Sequence, residues 1–156
     1  MESLEVQEQL ANPSDPEIFR KSKLDFAERE KFPQLVALYR DLIRLRRKDP
    51  VFARRSEVQL DGAVLGPEAF VLRFFDSLGD DRLLIVNLGR AFDPAIVPEP
   101  LLAPPVGHRW TNLWSSEALR YGGRGELSLE EEGGWHFPAE STVALRPRPL
   151  AIASQA

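Results

Sequence analysis

The chain has 156 residues, of which 43% are hydrophobic and 28% charged, with a net charge of −4. That length gives one ordinary domain, or one domain with an extension, and enough apolar material for a core. The acidic balance argues against nucleic acid as a partner, and the lack of cysteine removes disulfides, thiolate catalysis and Cys-based zinc sites.

In chain order, MESLEVQEQL is acidic and shows no basic stretch followed by an apolar run, so no signal peptide is expected. No stretch approaches the roughly 18 apolar residues of a membrane span. With the lack of cysteine, this fits a cytoplasmic protein. In NPSDPEIFRKS, Ser14 or Asp15 can cap a helical turn, Pro16 suits the first helical position, and Glu17 completes a capping box with Ser14. Asp25 and Glu28 repeat the signature. From Leu35 to Leu45, Leu35, Leu38, Tyr39, Leu42 and Leu45 recur at three- and four-residue steps, and Val36 and Ile43 widen the stripe. Arg40, Asp41, Arg44 and Lys48 are assigned to the opposite face. The pattern predicts an amphipathic helix with cations at its C-terminal end and a stop at Pro50. Pro33 marks either its first turn or a kink.

After Pro50 the hydrophobic period becomes two. VFARRSEVQLDG, AFVLRFFDS, DRLLIVNLG, HRWTNLWSS, GELSLE, GWHFP and STVALRP are short strand candidates bounded by Gly, Pro, Asp or Asn. Residues 77–81 read as a hairpin loop, 130–134 as a second connection, and the proline-rich stretch 92–107 as a long irregular one. The fold class expected is mainly β: an antiparallel β-sandwich of about seven strands preceded by an N-terminal helical arm. Residues 1–50 form the arm, 51–150 the β domain and 151–156 a tail.

Little in the chain reads as catalytic machinery. His108 and His136 are the two histidines, and they lack the spacing of a metal pair, so no metal is expected. Ser115 and Ser116 lack a nucleophile elbow. Gly122, Gly123 and Gly125 read as turns, so no nucleotide cofactor is implied. Glycoside hydrolysis needs two carboxyl groups held across a sugar. Glu126, Glu130, Glu131, Glu132, Asp61, Asp80 and Asp81 all stand in turn-like, solvated surroundings. The aromatics offer two readings. Trp110 and Trp114, four apart, share one face of a regular strand and read as core. With Tyr121 and Trp135 they are also candidates for a carbohydrate-stacking surface that would take an α-glucan.

SKLDF, EREKFPQLVALYRDLIRLRRKDPVF, LLIVNLGR, WTNLWSSEALRYGG and EEGGWHFPAESTVAL follow one another in an order that resembles the C-terminus of malto-oligosyltrehalose trehalohydrolases, members of the α-amylase superfamily (glycoside hydrolase family 13). The resemblance covers about residues 12–147. It implies that the helix over 34–47 is the last helix of a (β/α)₈ barrel and that the strands build an all-β C-terminal domain. Leu35, Leu38, Leu42 and Leu45 would then pack on a barrel domain or subunit, or mediate self-association. The family's catalytic carboxylates lie on barrel strands, so the resemblance places no catalytic residue at any position of this sequence. It implies a non-catalytic, stabilising domain in trehalose metabolism, with an α-glucan-binding module as the alternative.

Overall fold

The computed structural model describes residues 14–54, 59–93, 98–125, 130–131 and 134–150. The chain divides into two compact units, residues 1–33 and 34–156.

In the first unit, helix α1 (Pro16–Lys21) has Asp15 as its cap, whose carboxylate accepts from the Glu17 amide at 2.9 Å, with Pro16 at the first position. Arg20 pairs with Glu17 one turn away. Helix α2 (Glu28–Lys31) is a single turn, and the Asp25 carboxylate accepts from the Ala27 amide just before it. Neither helix has a buried residue.

Helix α3 (Pro33–Lys48), which from Gln34 onward belongs to the second unit, begins at Pro33, so that proline lies in the first turn and causes no kink. Helix α4 (Pro50–Ala53) follows at once. Asp49 caps it, accepting from the amides of Val51 and Phe52. The expected strand VFARRSEVQLDG is therefore corrected. Its first residues are helical because Asp49 and Pro50 form a cap and first position, and among the described residues pairing starts at Gln59.

Strands β1 (Gln59–Gly66), β2 (Ala69–Phe75), β3 (Arg82–Asn87), β4 (His108–Ser115) and β7 (Ser141–Pro149) form one antiparallel sheet in the order β1-β2-β3-β7-β4. Strands β5 (Glu130–Glu131) and β6 (Gly134–Trp135) pair as a short ribbon. The fold is mainly β and antiparallel, as expected. Among the described residues, however, the seven strands divide into five and two rather than into two comparable sheets. The expected strand GELSLE lies mostly outside the described residues, and GWHFP is a strand only at its first two positions. Phe137 instead makes an isolated bridge with Phe92.

Register assigns the two faces of the sheet, because paired residues point the same way. Val71, Ile85 and Val143 align across three strands, and Leu83 and Leu145 across two. These residues form the core with Trp110, Leu102 and Phe137. Leu102 comes from a 3₁₀ turn, Pro100–Leu102, inside the stretch expected to be irregular. The Arg73–Asp81 ion pair, at 2.8 Å, closes one side of the core, and Arg73 also donates to the carbonyls of Leu101 and Ala103. Asp81 is therefore buried, at 5% exposure, where a solvated turn carboxylate was expected. The guanidinium it meets arrives from the neighbouring strand, which local composition does not reveal. Phe70, Leu72, Phe74, Arg82, Leu84 and Ala144 belong to the opposite face, where Phe52 packs edge-on against Phe74 at 5.1 Å.

Candidate functional site

Two features of the second unit stand out, the helix α3 and a cleft beside it. The helix turns an unusual side toward the sheet. Asp41, Leu45 and Lys48 line the cleft, together with Leu113 and Trp114 from strand β4. Leu38 and Leu42 are half-buried. Leu35, Tyr39 and Ile43, spaced by four, are 51%, 60% and 50% exposed, and no residue of the helix is fully buried. The expected packing face is thus split. Leu38, Leu42 and Leu45 are partly covered, and Leu35 joins Tyr39 and Ile43 on an apolar strip facing water.

A polar latch sets this orientation. The Trp114 indole N–H donates to the Tyr121 hydroxyl at 3.2 Å, and that hydroxyl donates to the Asp41 carboxylate at 2.7 Å. Arg120 reaches the same carboxylate at 3.3 Å. Asp41, assigned to the outer face, therefore points inward. Burial pushes the Tyr121 pKa upward, and the hydrogen bond to Asp41 adds to the rise. The loop that delivers Tyr121 depends on its two glycines. Gly122 has φ +85°, a left-handed conformation that suits glycine, and a Cβ on Gly123 would lie 2.3 Å from the Glu117 carbonyl. Ser115 and Ser116 are used in the same loop. The Ser115 hydroxyl accepts from the Glu117 amide, and the Ser116 hydroxyl accepts from the Thr142 amide.

At the end of the helix, Asp49 accepts from the Arg82 Nε at 2.9 Å, and Arg82 also holds Asp80 at 2.7 Å. Burial works against the Arg82 cation, but the two carboxylates outweigh it and hold its pKa above the ordinary value. The cleft between the latch and this ion cluster has a volume of about 520 Å³, and Arg44 and Arg146 complete its cationic lining. Sequence reasoning missed this site. One signal was available: Leu38, Asp41, Leu45 and Lys48 fall on one helical face at steps of three and four.

The four aromatics do not come together. A bulge in β4 advances it by two residues, from Asn112 to Trp114, while β7 advances by one, so Trp110 lies opposite Pro147 and Trp114 opposite Ala144. Three residues separate those partners, which puts the indoles on opposite faces of the sheet. The expectation that they share a face is corrected for that reason. Both are only 8% exposed, and the Trp110 N–H is used by the Leu102 carbonyl at 2.7 Å. Tyr121 is part of the latch. Trp135 is half-buried and stacks on Phe137 at 5.9 Å. Of the carboxylates considered, Asp61 is exposed on an edge strand, Asp80 pairs with Arg82, and Glu126 and Glu132 lie outside the described residues. His136 contacts Asp93, and His108 contacts the Val106 carbonyl. Among the described residues, no three His, Asp or Glu side chains are grouped to hold a metal. Among them too, no helix is long and apolar enough to cross a membrane.

Residues 59–144 match the family described as domain of unknown function (DUF3459). The malto-oligosyltrehalose trehalohydrolase of Deinococcus radiodurans is 37% identical over 128 residues, covering 74% of this chain and 20% of that protein. The malto-oligosyltrehalose trehalohydrolase of Arthrobacter ramosus is 48% identical over 54 residues, 33% of this chain and 9% of that protein. The chain thus spans about a fifth or less of the length of these relatives. No solved structure matches it at a comparable level. The family match takes in four strands of the sheet and part of the fifth, which is more than half of the chain. The chain belongs to the DUF3459 family, a C-terminal domain of α-amylase family enzymes.

Proposed function

We propose that this chain is the structural, non-catalytic C-terminal region of a cytoplasmic α-glucan-acting glycoside hydrolase of trehalose metabolism. In this reading, helix α3 is the last helix of the enzyme's barrel. The observation that carries the reading is the outward strip of Leu35, Tyr39 and Ile43 on a helix whose other side is already latched to the sheet. A domain built to stand alone gains free energy by turning its most apolar helical face inward. Here Leu38, Leu42 and Leu45 are partly covered, and the rest of the apolar stripe, Leu35, Tyr39 and Ile43, is left facing out. The occupant is the barrel of the same enzyme, because the relatives are about five to eleven times as long as the stretch they share with this chain.

The test uses this chain and a barrel taken from the D. radiodurans relative without its matched stretch. Sedimentation of the mixture should show a one-to-one complex, and Tyr39→Glu with Ile43→Glu should abolish it while circular dichroism stays unchanged. A chain that remains monomeric beside the barrel, or a double variant that binds as well as the parent, would sink the proposal. Self-association through the same strip, in place of barrel binding, would also count against the barrel as occupant.

A further inference from the structure

We infer that the cleft beside helix α3 binds a small oxyanion, a phosphate or a carboxylate, held by Arg146 and Lys48. The cleft is lined by five cations (Arg44, Lys48, Arg82, Arg120 and Arg146) and three carboxylates (Asp41, Asp49 and Asp80). The carboxylates are already engaged. Asp49 and Asp80 both bind Arg82, and Asp41 is shared by Arg120 at 3.3 Å and Arg44 at 3.8 Å. Five cations less three carboxylates leaves two positive charges, in a chain whose net charge is −4. Lys48 and Arg146 are the cations with no carboxylate partner among the described residues.

Arg146 carries the argument furthest. It lies on the same face of β7 as Ala144 and Trp114, and its Nε is buried with no hydrogen-bond acceptor. A buried guanidinium Nε without an acceptor is costly, and a shift of this partly buried side chain into the cleft, where an oxyanion accepts from it, removes that cost. The planar guanidinium matches an oxyanion with two parallel hydrogen bonds, and a lysine ammonium adds a point charge at the rim. About 520 Å³ is ample for a phosphate or a small carboxylate with its remaining water. Trp114 forms part of the wall, so occupancy has an optical reporter.

Titrate the chain with inorganic phosphate, and separately with acetate, at constant ionic strength balanced with sodium chloride. Follow tryptophan fluorescence and melting temperature. One of the two anions should give a saturable change, and which one does so separates phosphate from carboxylate. Arg146→Met should weaken it by about tenfold or more, and Lys48→Met by about threefold. Arg148→Met removes the same charge from the same strand outside the cleft and should leave the response within about twofold. No saturable response to either anion overturns the inference, as does an equal loss in all three variants. If Arg146→Met fails to fold by circular dichroism, the comparison of Lys48→Met with Arg148→Met decides. The inference stands on the cleft alone, so failure to bind a barrel leaves it intact.

Discussion

The two faces of the five-stranded sheet are built from the same strands by opposite chemistry. One face is closed and apolar: Val71, Leu83, Ile85, Val143, Leu145, Trp110 and Phe137 pack together, with the Arg73–Asp81 ion pair at one side. The other face carries Phe70, Leu72, Phe74 and Leu84 with Phe52 packed on it, and beside these apolar residues it bears polar groups, the Arg82–Asp49 pair, the Trp114–Tyr121–Asp41 latch and Arg146. The apolar face supplies cohesion, which is insensitive to direction. The polar face supplies orientation, since hydrogen bonds and ion pairs fix where the helix sits and which side it shows. Stability and presentation are thereby assigned to different sides of one sheet.

The sharpest way to break this comparison is to damage each side and read both stability and helix orientation. Phe137→Ala on the apolar face should cost about 3–5 kcal/mol by chemical denaturation, because a fully buried ring leaves a cavity. Asp49→Ala on the polar face removes one of the two carboxylates that hold the buried Arg82 and also removes a helix cap, for an expected loss of about 3 kcal/mol. Both figures are large, and the distinction lies in the helix. Asp49→Ala should raise amide exchange in helix α3, and Phe137→Ala should raise it throughout the sheet at once. Uniform exchange in both variants would erase the proposed division.

Tyr121→Phe removes the hydroxyl that links Trp114 to Asp41. It should cost about 1 kcal/mol and free the helix locally. The alkaline limb offers the same test without mutation. The folded Tyr121 pKa is raised above its ordinary value by burial and then by Asp41. A raised value means that the folded state holds the proton more tightly than the unfolded chain. The latch's contribution is therefore complete below about pH 10 and is lost as pH rises through the folded value. Tyr121→Phe should lack that alkaline decline. The smallest effect concerns sugar. Because Trp110 and Trp114 are buried on opposite faces, maltooligosaccharide or trehalose at millimolar concentration should leave tryptophan fluorescence unchanged. A saturable quench would revive a carbohydrate-binding surface.

Several elements were legible as local patterns. Asp15 with Pro16 starts a helix where the capping signature put it. The three- and four-residue spacing marks helix α3, and the alternating stretches mark β2, β3 and β7. The stretch VFARRSEVQLDG reads as strand from its first residue, but Val51–Ala53 are helical because a cap at Asp49 outweighs the β-branched and aromatic residues after it. Asp81 reads as a solvated turn carboxylate because its partner, Arg73, is eight residues away and arrives by strand pairing. The cleft was illegible for the same reason: Asp41, Arg82, Trp114 and Arg146 are far apart in the chain.

The sequence by itself determined the local periods, the caps, the order of elements and the membership of a β-rich C-terminal domain family, because each depends on residues within a few positions of one another or on their linear order. Only the tertiary structure decided which way each pattern points. A bulge at Asn112–Trp114 separates two indoles that period two would place together, and a tyrosine 80 residues along the chain from Asp41 turns the helix so that Leu35, Tyr39 and Ile43 face water. Orientation is set by contacts between distant segments, and no local pattern encodes those.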